Sequence, residues 1–226
     1  MHGSSLGRLL KLRHGDALIV VDVQRDFLPG GSLAVPEGDA VIAPLNDYIR
    51  AFESRDLPVI FTRDWHPIDH CSFSSAGGSW PPHCVQETPG AAWAEHLDVT
   101  ADDYIVSKGM DPRAEAYSGF SGTKLLSLLR ELNVHRVFVG GLATDYCVRA
   151  TVCDALIQGF DVVVLADAIR AVNVQSGDDA RAASECKRAG PSSFSRRDRH
   201  FEHTVALMRE QLVGSFDIVK LEAVCD

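Results

Sequence analysis

The stretch ALIVVDV, residues 17–23, decides the fold. It is a short apolar run rich in β-branched residues, with an aspartate standing inside it, and a glycine- and proline-rich loop follows at 29–31. Such a run reads as a strand buried on both faces. The same signal returns in PVIFTRD (58–64), DYIVSKG (103–109), RVFVGG (136–141), FDVVVLAD (160–167) and FDIVKL (216–221). Between these runs the spacing of apolar residues predicts helices over 39–55, 122–134, 144–159 and 201–212, the third capped by Thr144 and ended by Gly159. Strands apolar on both sides and separated by helices imply a parallel sheet covered on both faces, a three-layer α/β domain. No internal repeat interrupts the order. Residues 174–199, rich in Ser, Gly, Asp and Arg, break it and read as a mobile surface insertion in a single domain spanning 1–226.

Bulk properties narrow the function. The chain has 226 residues, a formal charge of -9 and a sequence pI near 5.4. A net acidic surface disfavours nucleic acid and anionic membrane, since phosphate binding needs concentrated positive charge. A small-molecule substrate is expected. The longest apolar runs are too short to span a bilayer, and residues 1–16 lack the pattern of a signal peptide. A cytoplasmic protein follows by default, with its six irregularly spaced cysteines read as reduced thiols.

In open α/β sheets ligands bind beyond the carboxyl ends of the strands. Asp22, Asp64 and Lys108 leave the first three strands, and GGLATDYC carries the chain from the fourth strand to Cys147. Asp22 stands in an apolar run, where burial shifts a carboxyl pKa upward. Cys147 falls in the first turn of its helix, where the dipole and free N–H groups favour a thiolate and offer a place for an oxyanion. Lys108 would steady both anions. Cys153, on another face of that helix, is assigned to packing. A nucleophile, a proton acceptor and a cation are what acyl transfer through a covalent intermediate requires.

The segment DWHPIDHCSFSSAGGSWPPHC, 64–84, holds three of the nine histidines and two of the six cysteines. Asp64 and His66, two apart in extended chain, point the same way. His83 follows two prolines that fix its direction, and His70 is a fourth potential donor. One carboxylate and two or three imidazoles suit zinc, iron or manganese, while a Cys71–Cys84 disulfide is the competing reading.

The motifs VDVQRDFLPGGSLAV, TRDWHP, SWPPHCV, the KG after the third strand, AYSGF and GLATDYCV together resemble the nicotinamidases of the isochorismatase-like cysteine hydrolase superfamily. The resemblance runs from about residue 17 to 173, more loosely over 201–221. It implies a six-stranded parallel sheet of order 321456, with Asp22 and Cys147 side by side. It implies metal-dependent hydrolysis of nicotinamide to nicotinic acid and ammonia, in NAD salvage, through a thioester on Cys147. Asp22 would be general base and acid, and Lys108 the orienting cation. Asp64, His66 and His83 would hold a divalent ion, zinc foremost, with His70 ranked below them because its spacing from His66 is shorter than in the relatives that use it. Backbone N–H groups of Ala143 and Cys147 would form an oxyanion hole beside a cis peptide at 142–143. Phe27, Trp80 and Tyr117 would contact the substrate ring. A homo-oligomer is compatible with this reading, and the 174–199 insertion has no counterpart in the compact relatives. The rivals are a sister amidase or carbamoyl hydrolase acting on another small amide, a hydrolase whose metal-bound water attacks, and an inert binding protein.

Overall fold

The computed structural model describes residues 11–172. Five parallel strands, β1 (Asp16–Val21), β2 (Val59–Asp64), β3 (Tyr104–Lys108), β4 (Arg136–Leu142) and β5 (Asp161–Arg170), form one sheet of order β3-β2-β1-β4-β5. This is the expected order as far as the fifth strand. The sixth strand expected at 216–221, the helix at 201–212 and the insertion at 174–199 lie outside the described residues.

β1 shows why the sheet is central. Every one of its residues is buried, including Asp16. Successive side chains of a strand point to opposite faces. Leu18 and Val20 therefore pack with Leu45, Ile49 and Phe52 of helix α1 (Ile42–Glu53). Ala17, Ile19 and Val21 pack on the other face with Leu125 and Leu129 of α2 (Leu125–Glu131) and Val152 and Ala155 of α3 (Arg149–Ile157). Two apolar clusters thus sandwich the sheet, giving three layers. Phe52 meets Phe138 of β4 edge to face, ring centroids 5.2 Å apart.

The helix expected from Thr144 begins differently. Residues Thr144–Val148 form a π-helical turn closed by the Val148 N–H donating to the Ala143 carbonyl at 3.1 Å, and α3 follows it. Ala143, and not the expected Thr144, stands at the cap position, where no side-chain capping bond is made. The wide turn places one more residue in the first loop of helix than an α turn does, a feature common where backbone serves a site.

Sheet order places the site. The strand direction of succession reverses at β1, which lies between β2 and β4, so the crevice at the carboxyl ends opens above β1. Val21 is in register with Thr62 on one side and Gly141 on the other, and Asp64 with Lys108. Four strand ends therefore converge.

Candidate active site

At the centre of that convergence is one ammonium. Lys108 Nζ lies 2.5 Å from Asp64 Oδ1, 2.9 Å from Asp22 Oδ2 and 3.4 Å from Cys147 Sγ, and it donates to the Ala116 carbonyl at 3.1 Å. Its side chain is fully buried, as is that of Asp22. Donor atoms of Asp22, Asp64 and Cys147 lie within 4.8 Å of one another around it. An anionic cage of this kind needs its cation, and each member's ionisation follows from that.

Burial raises the Asp22 carboxyl, and Lys108 offsets only part of this. Burial also acts upward on Asp64, but the Lys108 charge and the contact with His66 outweigh it and leave Asp64 well below the usual carboxylate range. Burial opposes the charge on Lys108, yet Asp22, Asp64 and Cys147 together hold it protonated far up the scale. Cys147 is pushed well above an ordinary thiol by burial, with Asp22 and Asp64 adding to the shift and Lys108 countering it. Desolvation and two neighbouring carboxylates thus act against the thiolate that a helix start favours, and a sulfur held as a thiol needs a base.

Asp22 stands beside that sulfur. It stands just past β1 with φ of 50°, turned out of the strand, and its N–H donates to the Thr62 carbonyl. Thr62 Oγ1 donates to Asp22 Oδ1 at 2.7 Å. Oδ2 is close to Lys108 but outside hydrogen-bond geometry, so among the described residues it is the buried side-chain oxygen with no hydrogen-bond partner.

Beside this cage stand Asp64, His66 and His83, all buried, with donor atoms within 4.8 Å of one another. Their neighbours fix which nitrogen is free. His66 Nδ1 donates to the Gly109 carbonyl at 3.0 Å and His83 Nδ1 to the Pro81 carbonyl at 2.8 Å, because a carbonyl can only accept. Each ring thus turns an Nε2 lone pair inward, the tautomer that suits a metal ligand. Burial lowers the His83 pKa, which keeps it neutral. One carboxylate and two such imidazoles fit a divalent ion with open positions for other ligands.

His70 is not brought into this set. Its Nδ1 accepts the Ser72 N–H at 3.2 Å and faces Ser72 Oγ at 2.7 Å, and its Nε2 faces the Ala114 carbonyl at 3.1 Å. Both ring nitrogens are engaged by protein, and the ring lies against His66 with centroids 4.2 Å apart. The ring packs beside His66, outside the cluster of Asp64, His66 and His83. Cys71, Cys84 and Cys147 are free thiols, so the Cys71–Cys84 disulfide does not form.

Above the cage a cleft encloses about 500 Å³, open solvent at its mouth included, with Cys147, Ala143, Asp64, His66 and His83 in its lining. Phe27, Trp80 and Tyr117, the residues expected to contact a ring, line it too, and Trp80 Nε1–H donates to Tyr117 Oη at 2.9 Å. The peptide between Leu142 and Ala143 is cis. Sequence reasoning missed Tyr146, Leu33 and Glu115 in the lining. It also missed Gln24, whose amide accepts the Asp64 N–H at 2.7 Å and donates to the Asp64 and Ala91 carbonyls, clamping the end of β2. Position offered a signal here, since Gln24 is two residues from Asp22.

A family model, the Isochorismatase domain, matches residues 16–186. Among curated proteins, the nicotinamidase of Escherichia coli (strain K12) is 39% identical over 80% of this chain and 95% of its own length. Among solved structures, pyrazinamidase of Pyrococcus horikoshii in complex with zinc is 51% identical, with a TM-score of 0.72 over 78% of this chain and 96% of that one. An L. infantum protein in complex with nicotinate is 39% identical, with a TM-score of 0.71 over 78% of this chain and 90% of that one.

Proposed function

We propose a function from the premise that this chain belongs to the isochorismatase family: it hydrolyses nicotinamide to nicotinic acid and ammonia, a step of NAD salvage. The observation that carries the reading is the meeting of Cys147, Asp22 and Lys108 under a cleft whose wall also presents Asp64, His66 and His83. Sister amidases of the superfamily need only the first group.

The chemistry follows from which groups hold protons. Cys147 attacks the carboxamide carbon as its proton passes to the Asp22 carboxylate; an S–C bond forms and the carbonyl π electrons move to oxygen. We assign stabilisation of that oxyanion to the backbone N–H groups of Ala143 and Cys147. Asp22 returns the proton to the amide nitrogen, the C–N bond breaks, and ammonia leaves a thioester on Cys147. Water then gives a proton to Asp22 and adds to the thioester carbon, and the C–S electron pair returns to sulfur with that proton. Lys108 stays charged throughout and keeps the two acids in place. Asp64, His66 and His83 would hold a divalent ion, with zinc the ion proposed, which would supply Lewis-acid binding of the substrate ring nitrogen. Phe27, Trp80 and Tyr117 hold the ring's faces and edge, so that the amide sits over Cys147.

We carry with this reading a cytoplasmic setting, a single domain over the whole chain and room for a homo-oligomer, without nucleic acid or membrane as partner. Ammonia release tests the centre of it, on a panel of nicotinamide, pyrazinamide and a carbamoyl amide, with metal analysis of the same sample. Cys147→Ala lowers nicotinamide turnover by about 10⁴-fold or more while ligand still binds. Ordinary turnover by that variant would remove the covalent route, and preference for the carbamoyl amide would move the chain to a sister activity.

A further inference from the structure

Glu115 stands at the rim of the cleft, exposed, with its two neighbours pinned to the site beneath. The Ala114 carbonyl takes the His70 Nε2 contact at 3.1 Å, and the Ala116 carbonyl accepts from Lys108 at 3.1 Å. The backbone on both sides is therefore fixed by buried groups, and Glu115 lines the opening between them. Its charge is felt at Tyr117, whose hydroxyl is pushed up to about 12 by burial, opposed by the Trp80 contact, and then by Glu115. No described Lys or Arg forms an ion pair with Glu115. A negative charge at a substrate entrance, with no ion pair among the described residues, does nothing for packing, but it acts on any ligand that carries charge.

The reaction proposed above turns a neutral carboxamide into an aromatic carboxylate, which is ionised at pH 7. The two differ by one charge and little else in shape. From its place in the fold we infer that Glu115 is a specificity-determining residue that disfavours the anionic acid relative to the neutral amide, limiting product inhibition. The inference rests on the amidase reading of the same cleft. Exposure sets its size: at a separation of about 6–8 Å in a solvent-rich opening, one unit charge changes the affinity of an anion by about two- to five-fold and hardly touches a neutral ligand.

The test compares nicotinamide with nicotinate by calorimetry on full-length Cys147→Ala protein loaded with zinc, with and without Glu115→Gln. Glutamine keeps the size and polarity of the side chain and removes only the charge. The ratio of the nicotinate Kd to the nicotinamide Kd is expected to fall about two- to five-fold in the Gln variant, and the difference to shrink at high salt. An unchanged ratio overturns this inference and leaves the amidase reading standing. Binding of neither ligand to either protein overturns both. A circular dichroism melt of each variant separates a folding defect from a charge effect, and Glu115→Asp, which keeps the charge, is expected to restore the original ratio; failure of that rescue also overturns the inference.

Discussion

In the proposed reaction Asp22 acts only while ionised, because there it accepts the thiol proton. Burial raises its carboxyl above the ordinary 3.8, so kcat/KM is expected to fall, as pH drops, along an acid limb displaced upward from that value. The sign is fixed: protonated Asp22 cannot act as base, so activity is present above the limb and lost below it. Thr62 donates to the Asp22 carboxylate and pulls its pKa down. Thr62→Val therefore moves the limb to higher pH by up to about one unit, the worth of a hydrogen bond to a charged group. A pH–rate profile of the two proteins reads this directly, and a limb that stays put removes Asp22 from the base role. Gly109 makes a second case at this scale. Its φ is +67°, and a Cβ there would press on the His66 ring, whose Nδ1 is held by the Gly109 carbonyl. Gly109→Ala is expected to lower metal content and raise the KM for nicotinamide about ten-fold or more through misdirected His66, which metal analysis beside initial rates would reveal.

At the scale of elements the two ends of the sheet do different work. At the amino ends of β1 and β4, Asp16 and Arg136 are in register and joined by two bonds, Nε to Oδ1 at 2.8 Å and Nη2 to Oδ2 at 2.6 Å. Both residues are buried, and the site lies at the other end of the same strands. Arg136→Met leaves buried Asp16 with only the exposed Arg13 as a cationic partner, through a 4.0 Å ion pair and a backbone N–H bond, and is expected to destabilise the fold by about 3 kcal/mol. Because no reacting group moves, kcat below the melting transition stays within about two-fold; chemical denaturation and initial rates on one sample separate the two effects. This division explains what sequence reading reaches. The runs at 17–23, 58–64, 103–109, 136–141 and 160–167 were legible as strands because burial on both faces demands continuous apolar residues, and strand ends follow from where those runs stop. The turn at Thr144–Val148 was not legible, since nothing in a row of side chains distinguishes an i→i+5 carbonyl contact from an ordinary helix start. Spacing offers His70 only as a potential fourth donor, ranked below Asp64, His66 and His83. Only the Ser72 and Ala114 contacts, the second 44 residues away in sequence, show that its nitrogens are spent. Gln24 was passed over because its work is done through backbone atoms of Asp64 and Ala91.

For the molecule as a whole, the Asp64, His66 and His83 set ties two distant stretches of chain to one point. Asp64 ends β2 and His66 follows it, while His83 stands on the loop after the 74–76 turn, held through Cys84, whose N–H donates to Asp26 Oδ2 at 2.7 Å. Without an ion, three buried donors face one another with lone pairs and negative charge opposed. An ion that binds them only in the folded state stabilises that state by RT ln(1 + [L]/Kd), about 2.7 kcal/mol at one hundred times Kd. For a domain of this size each kcal/mol shifts Tm by about 2–4 °C, so chelation is expected to lower Tm by about 5–10 °C. Activity on nicotinamide falls with it, and both return when zinc is added back. His83→Ala removes one donor, so its Tm is expected to be nearly indifferent to chelator and its metal content to fall below that of the parent protein. Calorimetric scans of the two proteins, with and without chelator, check this against metal analysis of the same samples. A parent protein whose Tm ignores the chelator while it still hydrolyses nicotinamide would show that the three donors hold no ion, and that Cys147, Asp22 and Lys108 work alone.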